Sequence, residues 1–518
     1  MKKYFKMAFV TALALGASSC GKDFLDEKPS QYLSPGQIAD ATELDPGLAQ
    51  ANIDGVYALM YKVGTGGTNL DHDDFGQKAY DIYSDMIVSD MALGSLTYGW
   101  YRDVARLSAT TDYTDTDAYK PWRYYYQIGL AANATIELLG GPDAELEGNN
   151  VFIMGQAKAM RAYAYFYLAQ FYSSGYGTGS EKILPIYRDT QVPNQPKSTS
   201  AEVYEFIIEN LEQAIVHLEG FNRSASAKNQ INQDVAKGLL AYALTARGSA
   251  EDLQRVVTLT DEIINSNAYP LTTRSQTVAQ FRTPLTATSE LLNPESGFND
   301  VNTPSWMWGV DLTLDSDLDL VSWWGQVDLF TYSYAYVGDA KIIDDGLYDA
   351  IREDDIRKNQ FVDVDGDGKL WPINKFYWSG RTKYLAGDEF GGQRYIITDY
   401  VYMRVEEMYL LNAEAKAKLG QDGPARERLK DILKLRVDDY NYVDALSGEA
   451  LQDEIYLQTR IEMWGEGKAY LAMKRNKATV KRGSNHLEHA GQSFPYNADE
   501  LTFDIPQAEV LNNPFLNQ

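Results

Sequence analysis

The chain has 518 residues, a net charge of −26 and one cysteine. So acidic a surface repels nucleic acid and anionic lipid, which excludes DNA and RNA binding. A lone cysteine forms no disulfide within the chain, so stability comes from packing, and the length suffices for a large core. The 37 tyrosines and 9 tryptophans supply core bulk, and their excess also fits a surface that holds sugars or peptides.

The chain opens with Lys2, Lys3 and Lys6, an apolar run from Met7 to Leu15, then Gly16-Ala17-Ser18-Ser19 and Cys20. This is a basic region, a short hydrophobic region and a small-residue cleavage zone. A free thiol at such a junction resembles a bacterial lipobox. The implication is that residues 1–19 are a signal peptide and that Cys20 is lipidated and becomes the mature N-terminus. The other reading is an ordinary secretory peptide with a chance cysteine. Loss of the three lysines takes the net charge to −29. The apolar run is shorter than the roughly 20 residues a bilayer requires, and no later segment is long and apolar enough. Acyl chains alone then hold the protein at the membrane. Residues 20–50, with Pro29, Pro35 and Pro46, read as an extended tether.

Helical periodicity begins near residue 118. Ala118 to Leu139 carries Tyr125, Ile128, Ala132 and Ile136 at helical spacing, and residues 151–172 carry Met160, Ala164, Leu168 and Tyr172 on one ridge. Ala157, Ala162, Ala164 and Ala169 permit close helix–helix approach. Thr199 and Glu202 form a capping box ahead of a stripe of Val203, Ile207, Leu211, Ala214 and Leu218. Residues 234–247 and 251–266 form a helical hairpin about Gly248-Ser249, and 400–419, 423–436 and 449–476 continue the pattern. Paired antiparallel helices of this kind predict a mostly α fold, a tetratricopeptide-like helical-repeat scaffold (an α/α superhelix). The repeats are degenerate, without a clean period of about 34 residues. Between 270 and 399 the helical signal stops, leaving a long irregular insertion with short strand-like runs at Ser305–Val310 and Tyr395–Ile397. Loops of that length are usually functional. The predicted organisation is a helical region over 51–269, the insertion over 270–399 and a second helical region over 400–518, with 51–518 one compact unit.

Landmarks along the chain resemble the SusD/RagB family of surface lipoproteins of Bacteroidetes-type bacteria. They are the start Ser19-Cys20-Gly21-Lys22-Asp23-Phe24-Leu25-Asp26-Glu27-Lys28-Pro29, the helix Arg161–Leu168 and the turn Asn267-Ala268-Tyr269-Pro270-Leu271. They continue with Arg404–Ala415, Ile461–Lys468 with Met473-Lys474-Arg475, and the close Ile505–Val510 with Asn513-Pro514. Ala469-Tyr470-Leu471-Ala472 departs from the family's aromatic–acidic pattern before the leucine, which puts a local ion pair in doubt. The resemblance implies a lipid-anchored protein on the outer face of the outer membrane. It implies capture of oligosaccharides, or of peptides as in RagB-like members, and delivery to a TonB-dependent, SusC-like transporter. It implies no catalysis and no required cofactor. Lys22-Asp23 and Asp26-Glu27 suit a surface-export signal, or a solvated tether.

Sugar rings have apolar C–H faces and polar rims, so a site needs flat aromatics with amides, carboxylates or arginines beside them. Two clusters fit: Tyr98-Gly99-Trp100-Tyr101-Arg102, and Trp323-Trp324-Gly325-Gln326 followed by Tyr332, Tyr334 and Tyr336. In an extended segment adjacent tryptophans face opposite sides, which would expose one of Trp323 and Trp324. The candidate glycan-binding residues are therefore Trp100, Tyr101, Trp323, Trp324 and Tyr332. The competing reading packs these aromatics against the scaffold. Trp306, Trp308 and Trp464 read as core.

Asp363-Val364-Asp365-Gly366-Asp367-Gly368-Lys369 has the first-half spacing of an EF-hand loop, which would bind calcium through Asp363, Asp365, Asp367 and the Lys369 carbonyl. Asn374 stands where the bidentate glutamate belongs, so a structural calcium loop and a solvated acidic hairpin turn remain alternatives. His486-Leu487-Glu488-His489 has the wrong spacing for a zinc helix, and His72 among Asp71, Asp73 and Asp74 reads as a polar loop. A glycosidase would need two opposed carboxylates across a cleft. Glu406, Glu414, Glu462 and Glu466, with Arg404 and Arg460, instead suit ion-paired scaffold roles. A repeat scaffold that binds another protein would need no aromatic platform.

Overall fold

A computed structural model describes residues 47–516, apart from 70, 225, 284–288, 294–295, 330–331 and 378–395. The predicted signal peptide, Cys20 and most of the tether lie outside the described residues.

The chain is mostly helical. The first helices are α1 (Gly47–Ala58), α2 (Gln77–Ile87), α3 (Thr116–Leu138) and α4 (Asn149–Phe171). Next come α5 (Ser200–His217), α6 (Gln233–Arg247) and α7 (Ala250–Asn265). From α3 to α7 each helix packs on the next, the ribbon arrangement of a helical-repeat scaffold. Its boundaries follow from local chemistry. Thr199 and Glu202 form the predicted capping box of α5, and the stripe from Val203 to Leu218 is buried. Gly248 ends α6 at φ 72° and Ser249 caps α7 with Asp252, so one dipeptide turns the hairpin.

The layer after α7 is α9 (Val405–Lys418), which lies far along the chain. The intervening segment therefore leaves the helical stack and returns to it. It holds β4 (Trp306–Val310), the short helix α8 (Trp323–Val327) and β5 (Lys341–Ile343). Two edges tie it down. β4 pairs antiparallel with β8 (Tyr400–Arg404), and β5 with β1 (Met91–Leu93). Two separate hairpins pair β2 (Lys182–Pro185) with β3 (Lys197–Thr199), and β6 (Val362–Asp363) with β7 (Leu370–Trp371). The largest apolar cluster runs from Ala49 to Phe503 and includes Trp308, Trp323 and Trp324. The segment thus contributes to the main core.

Two predicted helices change form. Tyr400–Arg404 is a buried strand, because its partner Trp306–Val310 supplies the ladder. Residues 449–476 divide into α11 (Gly448–Glu462) and α12 (Lys468–Asn476), after α10 (Asp422–Leu433). Gly465 (φ 80°) and Gly467 (φ 70°) make the break. A Cβ on Gly465 would stand 2.4 Å from Phe376, and one on Gly467 2.6 Å from Asp81, so both the backbone angle and the space require glycine. Trp464 lies in this break, fully buried, with its indole N–H donating to the Asp90 carbonyl at 2.8 Å.

The glutamates of this region form a buried charge cluster. Glu462 accepts from Arg404 at 2.9 Å, Arg357 at 3.0 Å and Arg436 at 2.9 and 3.0 Å. Glu466 pairs with Arg404 at 2.9 Å and Lys375 at 3.0 Å. Glu406 receives the N–H and hydroxyl of Thr272, each at 2.6 Å. Asp355 completes the set against Arg357 at 2.6 Å. Four cations thus meet four carboxylates, which fits the scaffold role. Burial by itself would raise Glu466, but Arg404 and Lys375 outweigh it and hold the carboxyl at about 2. A folded value below the unfolded one stabilises above the unfolded value, and that stability is lost as pH falls through the folded value. Glu466→Gln is therefore expected to lower stability fully above pH ~4.5, with the gap closing towards pH ~2. Denaturant unfolding of both proteins across that range checks it; a gap independent of pH would contradict it.

Candidate glycan platform

The loop between β1 and the short helix Arg102–Ala105 carries the first aromatic cluster. Asp339 organises it. The N–H groups of Thr97, Tyr98 and Gly99 all donate to its carboxylate, the last two at 2.9 and 3.1 Å. Asp339 belongs to the segment of Tyr332, Tyr334 and Tyr336, so one carboxylate brings both predicted clusters to one place.

There Trp100 stacks on His72, with ring centres 5.1 Å apart and planes 8° from parallel. Tyr334 sets its edge against Trp100 at 6.2 Å, His72 at 5.6 Å and Tyr98 at 5.5 Å. Its hydroxyl is hydrogen-bonded to His72 Nδ1. Tyr98 is 64% exposed and Tyr336 53%. Tyr332 is 36% exposed and its hydroxyl acts electrostatically on Tyr334. Trp100 is half-buried. The result is a surface patch of flat rings on a buried support.

The support extends inward. Gln326 donates to the His72 carbonyl at 2.7 Å and accepts from Lys341 at 2.7 Å. Burial lowers the His72 pKa against the pull of Asp319 and Asp71, so at neutral pH the imidazole is uncharged and offers Trp100 a flat neutral face. Asp319 is exposed at the rim. Asp71 pairs with Lys120 at 3.3 Å. These carboxylates can accept hydroxyl hydrogens beside the rings.

The structure corrects three of the predicted ligand residues. Trp323 and Trp324 are both 1% exposed. The segment is a helical turn capped by Ser322, so the alternation expected of a strand does not apply. Trp324 donates its indole N–H to the Thr398 carbonyl at 2.7 Å, and Lys78 sits 4.3 Å over the Trp323 ring. Tyr101 is also 1% exposed. Its φ of 67° turns the side chain inward onto Tyr83, ring centres 5.5 Å apart. Trp324→Ala should thus cost about 3–5 kcal/mol of stability, with any folded protein keeping its ligand affinity. Parallel denaturation and binding curves check this; wild-type stability with lost binding would contradict it.

Sequence reading missed His72 and placed Tyr98, Tyr334 and Tyr336 only in the clusters. The His72–Trp100 stack joins residues of separate loops, and no local pattern marks it.

The calcium candidate spans the turn between β6 and β7. Asp363 accepts the N–H groups of Gly366, Asp367 and Gly368 at 2.8, 3.2 and 3.1 Å. Asp367 pairs with the Lys369 ammonium, so a cation would have to displace these contacts. Among the described residues no group of three or more His, Cys, Asp or Glu side chains is placed to share an ion. Asp363 and Asp367 are thus held by loop N–H groups and the Lys369 ammonium. His486 bonds Asp344 and Arg482, and His489 is half-buried. Among the described residues no helix is long and apolar enough to cross a membrane.

Comparison with known proteins agrees with this architecture. A family described as starch-binding, associating with the outer membrane, matches residues 23–243, and the SusD family matches residues 357–518. No curated protein matches. Among solved structures, a SusD-like carbohydrate binding protein from Bacteroides vulgatus is similar at 24% identity and TM-score 0.71, covering 91% of this chain and 97% of its own. Surface glycan-binding protein A from Bacteroides uniformis is similar at 18% identity and TM-score 0.62, covering 90% and 98%. Surface glycan-binding protein A from Bacteroides thetaiotaomicron, in complex with laminarihexaose, is similar at 14% identity and TM-score 0.62, covering 89% and 96%. The helical stack with its returning segment, the two family matches and these structural relatives together place the chain in the SusD-like family.

Proposed function

We propose that the protein is a cell-surface lipoprotein, anchored through Cys20, that captures oligosaccharides and passes them to a SusC-like TonB-dependent transporter. The observation that carries the glycan assignment is the aromatic patch of exposed Tyr98 and half-buried Trp100, supported by His72 and Tyr334. Flat rings take the apolar faces of pyranoses, and the carboxylates beside them take hydroxyls. The charge cluster at Glu462 and Glu466 is buried against arginines, so these carboxylates act in folding, which supports capture without cleavage. The junction at Cys20 supports the lipid anchor.

An array of plant, host and microbial glycans, with peptides as controls, tests this on the soluble form starting after Cys20. Selective glycan binding without product release is the expected result. Binding to peptides alone would replace the ligand class, and release of shortened sugars would contradict the absence of catalysis.

A further inference from the structure

A cavity of about 530 Å³ lies apart from the platform, between α3, α4, the stretch after β2 and the C-terminal segment. That volume lies within the range of small-molecule sites, roughly 300–1,000 Å³. Its floor is aromatic. Trp122 and Tyr126 have ring centres 4.7 Å apart, and Tyr187 stands edge-on to Tyr126 at 5.7 Å. The walls are fixed. Tyr126 donates to the Pro185 carbonyl at 2.9 Å, Asn194 to the Asn512 carbonyl at 3.2 Å, and Asn513 to the Gln195 carbonyl at 2.9 Å.

Two polar side chains of the rim are uncommitted. Arg123 and Gln127, one turn apart on α3, both line the cavity. Among the described residues neither side chain has a hydrogen-bond or ion-pair partner. Glu509 faces them from the C-terminal segment and Asp189 from the stretch after β2, so the lining carries one cation and two carboxylates. Leu130 and Val192 add exposed apolar surface, at 53% and 43%. Aromatic faces with an amide, a guanidinium and carboxylates around them suit a neutral polyhydroxylated ring, whose hydroxyls both donate and accept, better than a purely apolar ligand.

We propose that this cavity is a second carbohydrate site, independent of the platform. The inference rests on the glycan reading for its ligand class, and the two fail separately.

Calorimetric titration tests it with laminarihexaose, maltohexaose, xylohexaose and mannohexaose on the chain starting after Cys20. Wild type, Arg123→Ala with Gln127→Ala, and Tyr98→Ala with Trp100→Ala are compared. The substituted side chains are exposed or half-buried, and melting curves confirm that each variant folds. The expected result is two sites per chain in wild type for at least one sugar. The Arg123/Gln127 variant should keep only the platform site, and the Tyr98/Trp100 variant only the cavity site. One site per chain, abolished in the Tyr98/Trp100 variant, would overturn this inference and leave the proposed function standing. Two sites surviving in the Arg123/Gln127 variant would also overturn it. Silence of all four sugars, together with a silent array, would remove both.

Discussion

Trp100→Ala weakens oligosaccharide binding roughly thirtyfold, a loss of about 2 kcal/mol, with little change in melting temperature. The reasons lie in the neighbours of the ring. Trp100 is half-buried and rests on His72, so truncation removes a contact face without opening the core. Tyr334, 6% exposed, remains to hold the loop, as does Asp339 with its three backbone donors. Trp100→Phe keeps a flat apolar face and should recover much of the affinity. Tyr98→Ala and Tyr336→Ala should each lose less, since each ring is more exposed and less supported. Equal affinity in wild type and Trp100→Ala would contradict the platform assignment.

Glu462→Ala should destabilise the fold by about 3–5 kcal/mol. That is a large share of the roughly 5–15 kcal/mol by which such proteins are stable. Three guanidinium groups share this one carboxylate. Burial opposes its ionisation, but Arg436 and Arg404 outweigh that and hold it well below the usual carboxylate range. Its removal leaves those arginines buried with an excess of positive charge. Arg404 and Arg436 come from β8 and the end of α10, and Arg357 from the returning segment, so the loss loosens a joint between separate parts of the chain. Urea midpoints check the size; a loss below ~1 kcal/mol would mean that Asp355, Glu406 and Glu466 suffice.

The helical stack was legible because its signals are local. Thr199 with Glu202, Gly248-Ser249 and the apolar stripe of residues 203–218 each act within a few residues. The same locality explains the failures. Tyr400–Arg404 has a helical continuation after it, and only the distant Trp306–Val310 makes it a strand. Trp323 and Trp324 were expected at a surface because the segment was read as extended; one helical turn buries both. The helix α2 carries an apolar stripe of Ala79, Ile82, Tyr83, Met86 and Ile87 that the sequence reading passed over, and the fold buries its polar face as well. Of the candidate ligand residues, Trp100 and Tyr332 lie at the surface patch, whereas Tyr101 follows Trp100 directly and points the other way. Their shared location depends on Asp339 reaching across to residues 97–99, a contact between segments far apart in sequence.

The most direct measurement is a crystal structure of the chain starting after Cys20 with the oligosaccharide that the glycan array selects. The predicted result is a pyranose ring lying against Trp100 and Tyr98, with hydroxyls directed to the carboxylates beside His72. Sugar bound elsewhere while Tyr98, Trp100 and Tyr336 remain bare would contradict it.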